Sequence, residues 1–264
     1  MQKNVGVVGY VNSLPLVFGL LQKNPPNDFQ LSFDIPRVCA EKLSKQEISL
    51  GLIPSIEFAR IKNLKIVPKL CISSKEYVKS VELFFNEDIQ GIQKIAVDSS
   101  SRTSVALLRI LCRELYEIEP EFIEHEPNLS EMLKVADAAL VIGDKALYEH
   151  DKRHLRYDLA EDWVSLTGSP FVFAFWAGIS DLVTKEDVEV LQKSKDFGIR
   201  NKSAIAQICS KQNPNFTPEF YENYFTENIF YEMTEEEIKG LTTFYELAFY
   251  HGLIQDIPDL DFFG

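Results

Sequence analysis

Short apolar runs alternate along this chain with segments of helical periodicity, and that alternation narrows the fold more than any other feature. VGVVGY (5–10), QLSFDIP (30–36) and LGLIPS (50–55) read as strands. Between them lie a helix from about Pro15 to Leu21 and a second over CAEKLSKQ (39–46). Pro15 is tolerated there because the first turn of a helix has no use for the N–H it lacks. A second series follows, with VKSVELFF (78–85), KIAVDSS (94–100), EFIEH (121–125) and AALVIG (138–143) as strands. TSVALLRILCRELY (103–116) and SEMLKV (130–135) supply its helices, the first with an apolar face at 105, 107, 108, 111, 112 and 115. SPFVFAFWAG (169–178) is one long strand. The remainder is helical: Thr184 with Asp187 and Thr234 with Glu237 form capping-box patterns, and Gly252 ends the last helix.

Strands alternating with helices predict an α/β protein built on mostly parallel sheets flanked by helices. Two series in tandem predict two lobes. The runs 78–85 and 171–178 bracket the second series and read as strands crossing between lobes. The second lobe is then an insertion over 84–172, and the first comprises 1–83 and 173–264. A cleft between such lobes is a common ligand site.

Charge excludes several partners. Forty acidic residues against 27 basic ones leave −13, and no local run of Lys or Arg offsets it. That field repels nucleic-acid backbones and anionic lipid. The apolar stretch 5–21 is broken by Asn12, Ser13 and Pro15, so it does not read as a signal peptide, and FVFAFWAGI (171–179) is too short to span a bilayer. A cytoplasmic protein is expected. Cys39, Cys71, Cys112 and Cys209 form no CxxC pair and read as small hydrophobes in a reducing compartment. His150 and His154 have the spacing of two ligands on a helix, but they sit in a dense run of charge and read as solvated surface. His125 and His251 are isolated, no metal site is expected, and neither a P-loop nor a GxSxG elbow occurs.

Ligands of parallel sheets bind beyond the C-terminal strand ends, where helix N-termini direct free N–H groups. Val11-Asn12-Ser13 follow the first predicted strand, Pro54-Ser55 the third, Ser99 to Ser104 the strand at 94–98, and Asp144 the strand at 138–143. Ser80 lies on a crossing strand. DSSSRTS (98–104) is the strongest of these clusters. Hydroxyls and N–H groups at a helix start form a cradle for carboxylate or phosphate, with Arg102 as a fork. Asp98, at a buried strand end, reads as structural. The residues alone therefore indicate a cleft for a small polar or anionic ligand, and they leave open whether the protein is an enzyme or a receptor.

GYVNSLPL (9–16), GLIPSIEFA (51–59), SVELF (80–84), VDSSSRTSVALLRILC (97–112), DAALVIGDKAL (137–147) and DLAEDWVSLTGSPFVFAFWAG (158–178) together resemble the chorismate dehydratases of the futalosine route to menaquinone. The resemblance runs over 5–180, and Ser169 stands where that family leads one to expect leucine. It implies the fold of type II periplasmic solute-binding proteins. It also implies conversion of chorismate to 3-[(1-carboxyvinyl)oxy]benzoate and water without a cofactor. It places Asn12 and Ser80 at the reacting centre. Ser55, Thr103 and Ser104 fall around substrate carboxylates, and Ser13, Arg102 and Asp144 join the substrate-binding set. Two alternatives stand beside it. The dihydroxynaphthoate synthase of the same route needs a cleft histidine, for which His125 and His150 are available. A non-catalytic receptor of small anions needs an export signal.

Overall fold

The computed structural model describes residues 3–22, 28–98, 100–149 and 154–264. The chain first forms β1 (Lys3–Val8), α1 (Leu14–Val17), β2 (Phe29–Asp34), α2 (Pro36–Ser44), β3 (Leu50–Pro54), α3 (Ser55–Phe58) and β4 (Leu64–Ser74). Then come β5 (Val81–Phe85), β6 (Lys94–Asp98), α4 (Arg102–Glu114), β7 (Glu121–His125), α5 (Leu129–Val135), β8 (Ala138–Ile142), α6 (Gly143–Tyr148), β9 (Leu155–Asp158) and α7 (Leu159–Thr167). It closes with β10 (Phe171–Ile179) and the helices α8 (Lys185–Arg200), α9 (Lys202–Gln212), α10 (Pro218–Asn223) and α11 (Glu235–Tyr250). No described helix is long and apolar enough to cross a membrane.

These elements build two α/β lobes on two five-stranded sheets of matching order, β2-β1-β3-β10-β4 and β7-β6-β8-β5-β9. In each sheet four strands point one way and one is reversed, β10 in the first and β5 in the second. The reversed strand is the one the chain reaches on arriving from the other sheet. Arrival from the opposite end is what turns it antiparallel to its neighbours. The sheets are therefore mixed, although their strand directions are mostly parallel as the alternation predicts.

Two strands carry no clear signal in the sequence. β4 contains Pro68 and a residue at positive φ, Lys69, and its pairing with β10 shifts register twice. Proline and bulges are tolerated there because β4 is an edge strand. β9 is a four-residue edge strand whose first three residues are exposed, so no apolar alternation marks it.

The chain passes between sheets at 75–80 and at 168–170. Asp158 anchors the first passage. Its carboxylate accepts the N–H groups of Val78 at 3.1 Å and Lys79 at 2.7 Å, and it also caps α7 through Ala160 at 3.0 Å. Packing anchors the second. Trp163, Phe171 and Phe244 form an edge-to-face aromatic cluster with centroids 5.0 to 6.1 Å apart, and the Trp163 indole donates to the Pro170 carbonyl. A Cβ at Gly240 of α11 would sit 2.1 Å from that same carbonyl oxygen, so only glycine lets the helix lie this close.

Beside the first passage, burial pushes the Glu82 carboxyl up from 4.5 to about 8, with Arg156 at 3.5 Å opposing the shift. Burial likewise lifts Asp158 to about 6 against its backbone donors. The native state thus holds protons the unfolded chain has lost. The stability this gives is full below the unfolded values and is lost as pH rises through the folded ones. Of these two groups only Glu82 still titrates between about pH 6 and 8. The thermal midpoint is expected to fall across that window in the natural chain and to stay nearly level in Glu82→Gln; parallel slopes by calorimetry would refute this.

Candidate active site between the lobes

Strand ends from both lobes meet at one cleft of about 570 Å³, its open mouth included. Asn12 reaches it from a single 3₁₀ turn after β1, Ser80 from the first passage, and Ser101 to Ser104 from the start of α4. Gly143 brings in the start of α6 at φ +64°, with the Tyr10 ring 2.9 Å from where a Cβ would be. A side chain at 143 would therefore push Tyr10 out of the wall. Val8, Ile72, Val81 and Phe173 give the remaining wall an apolar surface.

The polar atoms fall into two kinds. Some are satisfied from behind. The Thr103 hydroxyl accepts the Ile56 N–H at 3.2 Å, and the Ser80 hydroxyl accepts from Tyr224 at 2.7 Å. Others have no partner in the protein: Asn12 Oδ1, Ser55 Oγ and Ser101 Oγ are buried and unbonded. Each such atom costs about 1–3 kcal/mol. Asn12 and Ser101 line the cleft, and two such atoms there indicate that a ligand completes their bonds, while Ser55 is not among the described lining residues. Ser55 opens α3 just behind Pro54, and its carbonyl accepts from Tyr245 at 2.6 Å. The first-turn N–H groups of α4, a helix of 13 residues, add a positive dipole end.

Three of the candidate residues are used differently from the sequence reading. Ser13 turns its hydroxyl back onto the carbonyls of Val8 at 2.6 Å and Tyr10 at 2.7 Å, which closes the turn that presents Asn12. Asp144 accepts the Val11 N–H at 2.9 Å across the cleft, and burial pushes its carboxyl up to about 6 against that bond. Arg102 lines the cleft, but its guanidinium is spent on Glu57 at 2.8 Å and Glu41 at 2.9 Å of the first lobe. Its fork closes the lobes on one another rather than standing open for a ligand. Asp98 accepts the Ser100 N–H at 2.9 Å and shapes the turn before α4.

Two tyrosines, one lining the cleft and one bonded to Ser80 behind it, carry no signal in the sequence. Tyr10 lines the cleft with its hydroxyl pushed up to about 12 by burial. It belongs to the GYVNS run, where only its neighbours carried recognisable polar chemistry. Tyr224 comes from the helical C-terminal region, and nothing in its local pattern distinguishes it from a core aromatic.

No carboxylate or imidazole stands among the described lining residues. His125 lies against the Glu126 carbonyl, His154 against Asn86, and His251 against Glu114, each away from the cleft. His150 falls outside the described residues. All four cysteines are buried and unpaired. The described wall therefore offers neutral hydroxyls, amides and one helix end, and none of its described side chains is suited to general-base work at neutral pH.

Comparison with known proteins agrees with this architecture. The chorismate dehydratase of Thermus thermophilus is 26% identical over 261 residues, covering 92% of this chain and 93% of that protein. A crystal structure of a protein from Archaeoglobus fulgidus superposes with a TM-score of 0.79 at 17% identity, over 96% of this chain and 98% of the other. The periplasmic aliphatic sulphonate binding protein of Escherichia coli superposes at 0.67 and 14% identity, over 98% and 90%. The two-lobed frame is thus that of the periplasmic binding proteins. A family model described as menaquinone biosynthesis matches residues 3–250, and the chain belongs to that family.

Proposed function

We propose that the protein is a chorismate dehydratase, a hydro-lyase that converts chorismate to 3-[(1-carboxyvinyl)oxy]benzoate and water. The observation that carries this reading is the cleft itself. It offers neutral donors and acceptors to a dianion, and its described wall supplies no side-chain base. The relative from Thermus thermophilus bearing that name supports it along nearly the whole chain. The four buried, unpaired thiols suit a reducing compartment such as the cytoplasm.

Chorismate carries two carboxylates, a hydroxyl on C4 and a hydrogen on C3. The C3–H bond breaks, its electron pair becomes the C3–C4 double bond, and the C4–O bond breaks as hydroxide leaves. That hydroxide takes up the C3 proton to become water, and the ring is aromatic. Aromatisation supplies the driving force, so the protein's task is orientation and proton routing. Asn12 is far too weak a base to take the proton. The enolpyruvyl carboxylate of the substrate is itself placed to carry it. Asn12 and Ser80 hold the departing hydroxyl, while Ser101, Thr103, Ser104 and the α4 amides hold a carboxylate. Ser55, which follows the lining residue Pro54, backs this wall. Of the two histidines available to the dihydroxynaphthoate synthase reading, His125 lies against the Glu126 carbonyl and is not in the described wall, and His150 falls outside the described residues.

Incubation with chorismate, followed by ultraviolet spectra and mass, is expected to show loss of one water; binding without turnover would instead make the protein a receptor. Asn12→Asp sets a charge against a dianion, and like-charge contact costs several kcal/mol, so kcat/KM is expected to fall on the order of 100-fold. Near-normal turnover would refute the role given to Asn12. Thr103→Val removes a donor to a carboxylate and strands the Ile56 N–H. A hydrogen bond to a charged group is worth about 1.5–3 kcal/mol, which predicts a KM roughly 10- to 150-fold higher, and Thr103→Ser restores it. An unchanged KM in Thr103→Val would take this hydroxyl out of the site.

A further inference from the structure

We infer that Tyr224 is a positioning residue that fixes the direction of the Ser80 hydroxyl, so that Ser80 presents a proton to the ligand. This rests on the dehydratase reading and deepens it.

The geometry is that of a one-way relay. A hydroxyl has one proton to give and two lone pairs. The Tyr224 hydroxyl donates to Ser80 Oγ at 2.7 Å. The phenolic proton is thus spent on Ser80, and the Ser80 proton is left for the cleft, which Ser80 lines. Asn12 Oδ1, on the same cleft, is buried and unpartnered, as an acceptor awaiting a ligand hydroxyl must be. Hydrogen bonds aligned in one sense strengthen each other. Burial and the nearby Asp144 raise the Tyr224 hydroxyl well above its ordinary value, so the residue remains a donor at every pH the protein meets.

The segment that carries Tyr224 is built to hold this position. Tyr224–Asn228 forms a single π turn after α10, a distortion frequent at functional sites. The same turn is tied to the first passage, on which Ser80 lies. Asn228 donates to the Tyr77 carbonyl at 3.0 Å, and Phe230 exchanges backbone bonds with Ser73 at 2.9 and 3.0 Å. Tyr224 is 2% exposed and Ser80 1%, so no water competes for the bond. Tyr224 is not among the described lining residues, and its action on the ligand passes through Ser80.

For the reaction, a Ser80 proton aimed at the C4 oxygen stabilises the charge that gathers there as the bond breaks. The Asn12 oxygen meanwhile receives the hydroxyl proton in the ground state. The experiment is a double-mutant cycle on chorismate turnover with Tyr224→Phe, Ser80→Ala and both together. Loss of a transition-state donor is expected to lower kcat roughly 10- to 100-fold in Tyr224→Phe with KM nearly unchanged. The double variant is expected to be no slower than Ser80→Ala, because Tyr224 acts only through Ser80. Additive losses, or a full kcat in Tyr224→Phe, overturn the inference while leaving the dehydratase reading intact; a natural chain that does not turn chorismate over overturns both. Should Tyr224→Phe not fold, 3-fluorotyrosine placed at 224 keeps ring and hydroxyl and strengthens the donor. It is then expected to change kcat at constant KM, and an unchanged kcat overturns the inference.

Discussion

Across the cleft, the Val11 N–H donates to the Asp144 carboxylate and the Ile56 N–H donates to the Thr103 hydroxyl. Each donor belongs to the first lobe and each acceptor to the second, and Arg102 of the second lobe joins them by gripping Glu41 and Glu57 of the first. Much of the site follows from this exchange. Backbone groups at strand ends need partners when they are buried. By supplying those partners to one another, the lobes bring their polar strand ends to a common wall. The cleft atoms not consumed in the exchange, Asn12 Oδ1 and the Ser101 hydroxyl, are the ones left for a ligand.

Under the proposed function, a chain of net charge −13 has to hold an anion against its own field. The described wall presents no open arginine for that task. The Arg102 charge is balanced by two glutamates, and the Asp144 carboxyl is pushed up toward neutrality by burial. What remains is a set of oriented dipoles, the hydroxyls and the first turn of α4. Such dipoles lose little on reorganisation because they are already held, Thr103 by Ile56 and Ser80 by Tyr224. The C-terminal helices, which add little to the sequence resemblance, contribute here by delivering Tyr224 and the Tyr245 bond to the Ser55 carbonyl.

The passages between the lobes are fixed by unlike means. Asp158 holds the first with hydrogen bonds from Val78 and Lys79, two residues before Ser80. The second is wedged among Trp163, Phe171 and Phe244. Hydrogen bonds hold the backbone just before Ser80 and the Ser80 hydroxyl itself. Aromatic packing sets only the path of the chain, which is all that the second passage requires.

The order of strands and helices and the polar clusters at the strand ends were legible in the sequence, because periodicity and turn chemistry are local properties. VGVVGY announced β1, TSVALLRILCRELY announced α4, and VNS and SSSRTS marked the cleft side. β4 was illegible because Pro68 and Lys69 break its alternation at a sheet edge. The uses of Arg102, Asp144 and Ser13 were illegible because residue type does not name a hydrogen-bond partner. Tyr224 and Ser80 are 144 positions apart, and Arg102 and Glu41 are 61. The sequence alone determined which groups stand at the strand ends; only the closing of two lobes decided which way each hydroxyl, amide and guanidinium faces, since that direction belongs to the partner and not to the residue.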